Sequence, residues 1–362
     1  MGKFYSIIIV LLLFSSCIEP YNAEVDVPDR GLTVEAVITT LPGPQEVKLT
    51  RNAPYGLSFV GINRPEILAK VALRDDLGRT FVFTESQDPN RPGVYFSDPD
   101  FSAEVGRTYN LELELFSGKR YISRPETVAE VPKVDSLTYK AVRTATTNKY
   151  IGEVGVQVTA HFQDPEGIEN YYHWRPLKST FVFITEPDAE GTNNAPISCC
   201  ARCFHTDIPQ PANVITYDDK DVDGLYQRKV VAYVVDDGVR FKETYRLDFL
   251  HLSVSQRAHS FLRLTNQQLS LTGSVFDPPP ANIRGNMISL DDPEEQVLGY
   301  FLAADAQFMR VYIHKDRLEF VKTPFSKIYL DCRQYLRAMD GLGRNPIIPP
   351  LLPVDPPDDW NP

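Results

Sequence analysis

The chain has 362 residues, with 37 Lys+Arg against 48 Asp+Glu, a formal charge of −11, and 43% hydrophobic residues. That hydrophobic share supports a buried core and excludes general disorder; 20 glycines exclude collagen, and 29 prolines exclude a coiled coil or helical bundle. An acidic chain without a Lys/Arg cluster is also a poor fit to nucleic acid, whose binding depends on phosphate neutralisation.

Residues 1–16 read as an export signal. Lys3 gives a positive start, Ile7 to Phe14 is an unbroken apolar run, and Ser15-Ser16-Cys17 follows. The run is too short to span a bilayer, which takes roughly 18–20 apolar residues. Phe14-Ser15-Ser16-Cys17 resembles a bacterial lipobox, so Cys17 is the expected lipidation site and the expected partner is a lipid bilayer. Residues 17–30 are polar and carry Pro20 and Pro28, which suits a tether.

Alternation of apolar and polar residues begins at Leu32, Val34, Ala36 and Ile38. It continues through Val47 and Leu49, Val71 and Leu73, and Phe81 to Phe83, with a turn at Asp75-Asp76-Leu77-Gly78. Tyr109, Leu111, Leu113 and Leu115 form the cleanest period-two run, turning at Ser117-Gly118 into Tyr121. Short strands separated by such turns predict a first β-sandwich, immunoglobulin-like, over 31–128. Pro125 to Pro132 reads as a junction.

A second β-rich domain is expected over 133–340. Val154, Val156, Val158, Ala160 and Phe162 alternate up to Asp164-Pro165-Glu166-Gly167, and Lys229 to Val235, Tyr245 to Phe249, Leu298 to Ala303 and Gln307 to His314 read as strands. One amphipathic helix is predicted near 254–271, with Ser253 and Gln256 as a capping box and Val254, Ala258, Phe261, Leu262 and Leu269 on one face. The fold class is therefore mainly β: two β-sandwich domains with one helix packed on the second. Residues 345–362 hold seven prolines in eighteen positions and read as an extended tail. Trp360, with the tail's other apolar residues, is a candidate partner contact there, the alternative being that the tail packs back on its own domain.

Several constellations carry chemistry. Cys199, Cys200, Cys203 and Cys332 remain after Cys17. Cys199-Cys200-x-x-Cys203-x-His205 has metal-knuckle spacing, but export favours oxidation, so all four are disulfide candidates with their pairing open. Asp219, Asp221 and Asp223 before Gly224 match the first half of a calcium loop, although Val230 occupies the twelfth position where an EF-hand needs Glu. A solvated turn is the competing reading, and no other cofactor is expected. Asp135-Ser136-Leu137 resembles the acceptor used for O-glycosylation of exported proteins in Bacteroidota, which marks Ser136. The six histidines form no H-E-x-x-H or evident triad, so His251 and His259 read as structural, and no nucleophile or nucleotide motif is present.

The order of pieces along the chain resembles a family of Bacteroidota lipoproteins, domain of unknown function 4249. The resemblance rests on Cys17 and its tether, LTVEAVITTLPGPQEVKLTR (32–51), PGVYFSD and VGRTYNLELEL within 92–115, and SRPETVAEVPKVDSL (123–137). It continues through the cysteine cluster, FDPPPANIRGN (276–286), VLGYFLAA (297–304), Asp331-Cys332 and Trp360. The family often carries further cysteines near the C-terminus, where this chain has Cys332 alone.

The resemblance implies no catalytic residue. It implies a non-enzymatic outer-membrane accessory whose partner is a TonB-dependent transporter, binding that transporter, its ligand or both. A surface hydrolase of glycans or peptides, and a structural or adhesive surface protein, are the competing classes, and the membrane face is open. Cys17→Ser is expected to leave an uncleaved or soluble exported protein. Normal membrane partition of that variant in a detergent phase-separation assay would end the lipoprotein reading.

Overall fold

The computed structural model describes residues 31–51, 64–144, 153–185, 202–208, 214–269, 283–322, 331–336 and 351–362. Cys17, Cys199 and Cys200 lie outside them. The chain is mainly β, as its alternation predicts.

The N-terminal half supplies β1 (Leu32–Thr39), β2 (Glu46–Arg51), β3 (Arg64–Pro65), β4 (Lys70–Asp75), β5 (Thr80–Glu85), β6 (Val94–Phe96), β7 (Thr108–Glu114), β8 (Arg120–Ser123) and β9 (Glu126–Thr127). β10 (Val134–Thr144), β11 (Glu153–Gln163), β12 (Tyr171–Ile184), β13 (Arg202–Asp207), β14 (Ile215–Asp218), β15 (Tyr226–Val235) and β16 (Thr244–Ser253) follow. The helix α1 (Gln256–Leu269), then β17 (Met287–Ser289), β18 (Leu298–Ala304) and β19 (Ala306–His314), come next, with short 3₁₀ turns at Lys315–Arg317 and Cys332–Gln334.

The first body departs from the expected sandwich. One eleven-stranded sheet runs β17-β8-β7-β4-β5-β6-β2-β1-β18, with β3 on β2 and β9 on β7. Its two ends approach each other, because β18 also lies against β7, β9 and β17, giving a nearly closed, barrel-like sheet. Asn286 seals the seam. Its side-chain amide donates to Phe301 O at 2.7 Å while its Oδ1 accepts from Phe301 N at 2.8 Å, so one side chain stands in for a missing ladder strand. Gly285 and Gly299 are required there. A Cβ on Gly285 would sit 2.0 Å from Gly299 O, and one on Gly299, whose φ is +80°, 2.0 Å from Val34 O.

The division between 128 and 133 is also corrected. β17 and β18 fall in the stretch assigned to the second domain, yet they complete the first sheet, β18 pairing parallel with β1 from Thr33–Leu298 to Thr39–Ala304. Alternation alone cannot reveal this, since it tells which residues face a core and not which core.

The second body has two sheets around one core, β10-β11-β15 and β13-β12-β16-β19 with β14 beside β12. Val156, Val158, Ala160 and Phe162 of β11 meet Tyr172, Trp174, Phe181 and Phe183 of β12. The expected structural role of His251 fits its setting: it is fully buried, stacked on Trp174 at 3.9 Å, and burial pulls its pKa to about 3, so it is neutral. The cap of α1 is Ser255 and not Ser253. Ser255 Oγ accepts from Ala258 N at 3.1 Å, while Ser253 is still in β16, paired with Tyr172.

Cys203 and Cys332 form a disulfide, closing a separation of 129 residues. In the chain-entropy model a loop of that length contributes about 5 kcal/mol. It also withdraws Cys203 from the zinc-knuckle alternative, and His205 turns its edge toward Phe181.

The described part of the C-terminal tail, 351–362, packs on the second body, which favours the alternative reading of Trp360 over a partner contact. Leu352 is buried in the second core, and Phe204 N donates to Pro353 O at 2.8 Å. Trp360 meets Phe204 and Tyr312 edge-on and lies beneath the Arg246 guanidinium. Asp359 bridges Arg246 at 2.8 Å and Arg310 at 2.7 Å. Leu352 and Trp360 thus pack on their own body, while Leu351 and Val354 stay exposed.

The Arg246 hydrogen bond, with that of Arg310, draws the Asp359 pKa from 3.8 to about 2. A lowered folded pKa contributes stability that is complete above about 3.8 and is lost as pH falls through about 2. Removing residues 351–362 is therefore expected to lower the melting temperature by several degrees. Asp359→Asn should melt below wild type at pH 7, with the gap closing toward pH 2 in calorimetric scans.

Candidate functional site

Strand alternation builds a cleft between the two bodies. Along β12, Tyr172 and Trp174 point into the second core, so His173, Arg175 and Leu177 line the opposite side. Pro176 cannot donate to a ladder, and the pairing with β16 shifts register between Pro176 and Lys178. Along β18, Phe301 and Ala303 enter the barrel core while Tyr300 and Leu302 face outward. β1 presents Glu35 and Val37 on its outer face, and β2 presents Glu46 and Lys48.

α1 closes one wall with Ala258, Phe261 and Leu262, and Phe261 packs on Tyr300 with ring centroids 4.8 Å apart. The volume of this open cleft is about 510 Å³. That is within the ~300–1,000 Å³ range of small-molecule sites, and its lining is mainly apolar with a few polar groups. An outer cluster of Leu250, Leu252, Val254, Ala258, Leu302 and Ala304 packs the two bodies together at its edge.

The polar groups differ in state. Lys48 pairs with Glu35 at 3.2 Å, and Glu46 with Arg91 at 2.6 Å. His173 Nδ1 donates to Ile215 O at 3.0 Å, and burial lowers its pKa to about 4, so the ring is neutral at pH 7. Tyr300 donates to Glu126 at 2.7 Å, and burial raises its pKa above the ordinary phenol value. Arg175 is an exposed residue of the lining; partial desolvation lowers its pKa, while Glu46 and Glu35 act on it in the opposite direction.

The family search matches the domain of unknown function DUF4249 to residues 18–308. The chain belongs to the DUF4249 family. No curated protein matches it. The DUF4249 match spans every strand of the barrel-like sheet and the whole lining of the cleft. Two stretches that carry the resemblance, 276–286 and 297–304, meet at the barrel seam through Asn286 and Phe301.

No sequence motif marked this cleft. Phe261 and Leu262 counted only as the apolar face of a helix, and Arg175-Pro176 inside a long apolar strand was the one local signal available.

The acidic motif is rearranged. Asp219 and Asp223 come together with Asp164, their carboxylate oxygens within 4.8 Å of one another, while Asp221 is exposed and outside the group. The β11–β12 turn and the β14–β15 turn therefore face each other. Their oxygens already have donors: Tyr172 OH at 2.6 Å and Gly224 N at 3.0 Å on Asp164, Asn170 N at 2.9 Å on Asp219, and Gly167 N at 2.9 Å on Asp223. Burial, and then the charges of Asp219 and Asp223, push the Asp164 pKa up. Ser136 is exposed on β10 at a bulge.

Each of the three carboxylates accepts at least one hydrogen bond within these turns. Calorimetric titration with calcium is expected to show no constant tighter than ~10⁻⁴ M, the region of weak extracellular sites. A tighter constant that disappears in Asp219→Asn would establish a metal site.

Proposed function

We propose that this chain is an exported, lipid-anchored, non-enzymatic accessory of the outer membrane that binds a small ligand in the cleft between its two bodies. The observation that carries the ligand-binding part is the cleft itself: about 510 Å³, walled by apolar side chains from β1, β12, β18 and α1, with a few polar groups among them. Such concavities at the junction of two bodies are favoured ligand sites. The groups lining it are arranged for holding a ligand. Two acids are paired, the histidine is neutral, and the tyrosine hydroxyl is committed to Glu126.

Export and anchoring are supported by Lys3, the Ile7–Phe14 run and Cys17. Work beside a TonB-dependent transporter is supported by the family resemblance, and it gives the cleft a purpose, since a tethered binder raises the local concentration of what the transporter takes up.

Leu177→Trp tests the reading, because Leu177 is half-buried and lines the cleft, so the larger ring fills it. Native mass spectrometry of the protein isolated from membranes is expected to show a bound small molecule in wild type and none in Leu177→Trp, with both melting alike. An empty wild-type protein, or an adduct that survives the substitution, would overturn the cleft as the site.

A further inference from the structure

We propose that one arc of the barrel rim, carrying Ile67, Leu68, Phe116 and Leu290, is a membrane-docking surface whose occupant is the bilayer that holds the Cys17 lipid. The proposal rests on the anchoring part of the proposed function and is independent of the cleft. The four side chains are 47%, 61%, 79% and 52% exposed. Single exposed apolar residues are ordinary, but these come from three loops that strand pairing sets side by side.

Register establishes the arc. The last rung of β4 on β7 is Lys70–Glu114, so the loop before β4 lies beside the β7–β8 hairpin that carries Phe116. Glu114 also pairs with Arg120, the first residue of β8. Arg120 O accepts from Leu290 N at 2.8 Å, just past β17. On its other side the loop before β4 leads to the start of the barrel. Arg64 of β3 pairs with Arg51, and Arg51 with Leu32 of β1. The tether therefore joins the barrel on this rim. Its fourteen residues, 17–30, reach at most about 50 Å when extended, so the lipid is held within that distance of Leu32. The second body joins at the opposite end, where Thr39 pairs with Ala304 and where Thr40 and Val131 bond Asp305.

The exposure is held in place by the core. Leu68 N donates to Glu85 Oε2 at 2.9 Å, Ala69 N to the Tyr95 hydroxyl at 3.0 Å, and that hydroxyl to Glu66 O at 2.9 Å. Tyr95 is itself buried, so the loop is braced from beneath. Leu68 has a φ of +58°, the one positive value at a non-glycine among the described residues. A bulky side chain is strained there, and such strain persists where the surroundings enforce it for a purpose. Phe116 follows the buried Leu115, so alternation turns it outward.

Charge around the arc is balanced. Lys70 pairs with Glu114 at 2.7 Å, Arg120 with Asp291 at 3.4 Å and Lys119 with Glu295 at 3.5 Å. An apolar edge of this kind enters the membrane interface by burying its side chains and needs no anionic lipid.

Tryptophan fluorescence tests the surface in the lipidated protein, reconstituted into phosphatidylcholine vesicles with or without brominated acyl chains. The emission added by Phe116→Trp is expected to fall roughly twofold or more in brominated vesicles, at low and at high salt alike. Leu77→Trp reports on the opposite rim, in the turn after β4, and its added emission should not change. No quenching at Phe116→Trp would overturn the bilayer as occupant and leave a protein partner to cover the arc. Quenching as strong in Leu77→Trp, or quenching lost at high salt, would also overturn the proposal. If the wild-type chain carries no lipid and does not enter vesicles, the anchoring reading falls by itself. Flotation of that chain with phosphatidylcholine vesicles then decides the surface. Flotation that drops roughly tenfold in a Leu68→Ser, Phe116→Ser double variant of unchanged melting temperature would support it. No flotation, or flotation that the double variant retains, would overturn it.

Discussion

One extended path, Leu298 to His314, runs through both bodies, and the arrangement of the molecule depends on it. β18 is the last strand of the barrel-like sheet and β19 an edge of the second, with only Asp305 between them. Asp305 is bound from both sides. Its carboxylate accepts from Thr40 Oγ1 at 2.5 Å and from Val131 N at 2.9 Å, and its carbonyl accepts from Ser253 N at 3.2 Å. Hydrogen bonds to a charged group contribute about 1.5–3 kcal/mol each, so the crossing point is fixed more firmly than an ordinary linker. Two bodies joined by a one-residue turn and a shared apolar cluster have little freedom to rotate.

The cleft follows from that geometry. A strand that serves one core on alternate residues leaves the others facing outward, and here the outward faces of the paired strands β1 and β18 look toward that of β12. Where side chains are small or aliphatic they meet and form the cluster around Leu252 and Leu302. Where β12 shifts register at Pro176 and α1 stands off on Phe261, they fail to meet. The walls of the resulting space come from the barrel-like sheet, the second body's β12 and the capped helix.

The far side of the second body is held by covalent and ionic means. The Cys203–Cys332 bond ties β13 to the 3₁₀ turn Cys332–Gln334, and the 351–362 tail lies over the adjoining sheet. Arg246 is almost fully buried, and Asp248, Asp359 and Arg310 surround it in an alternating network. A buried guanidinium is unfavourable alone, so the tail's Asp359 and Trp360 complete the sheet beneath them. The proline-rich composition that suggests a free tail also makes it stiff, which lowers the entropy lost on docking.

The sequence by itself determined many of the strands, the helix and the family, but not β10 or β12 to β14. Leu32 to Ile38, Tyr109 to Leu115, Val154 to Phe162 and the helix face at Ala258 and Phe261 are legible because period two and period 3.6 are local properties of the chain. Disulfide chemistry was legible as a class from compartment and cysteine content. What the tertiary structure decided is which pieces share a core: that β18 returns to pair with β1, that Asn286 closes the seam, that Cys203 takes Cys332, and that Asp164 replaces Asp221 beside Asp219. Those are contacts between residues far apart in the chain, and alternation carries no information about partners. The cleft lies wholly in this second category, because Arg175, Phe261 and Tyr300 come from three separate elements whose sequences are each explained by their own secondary structure.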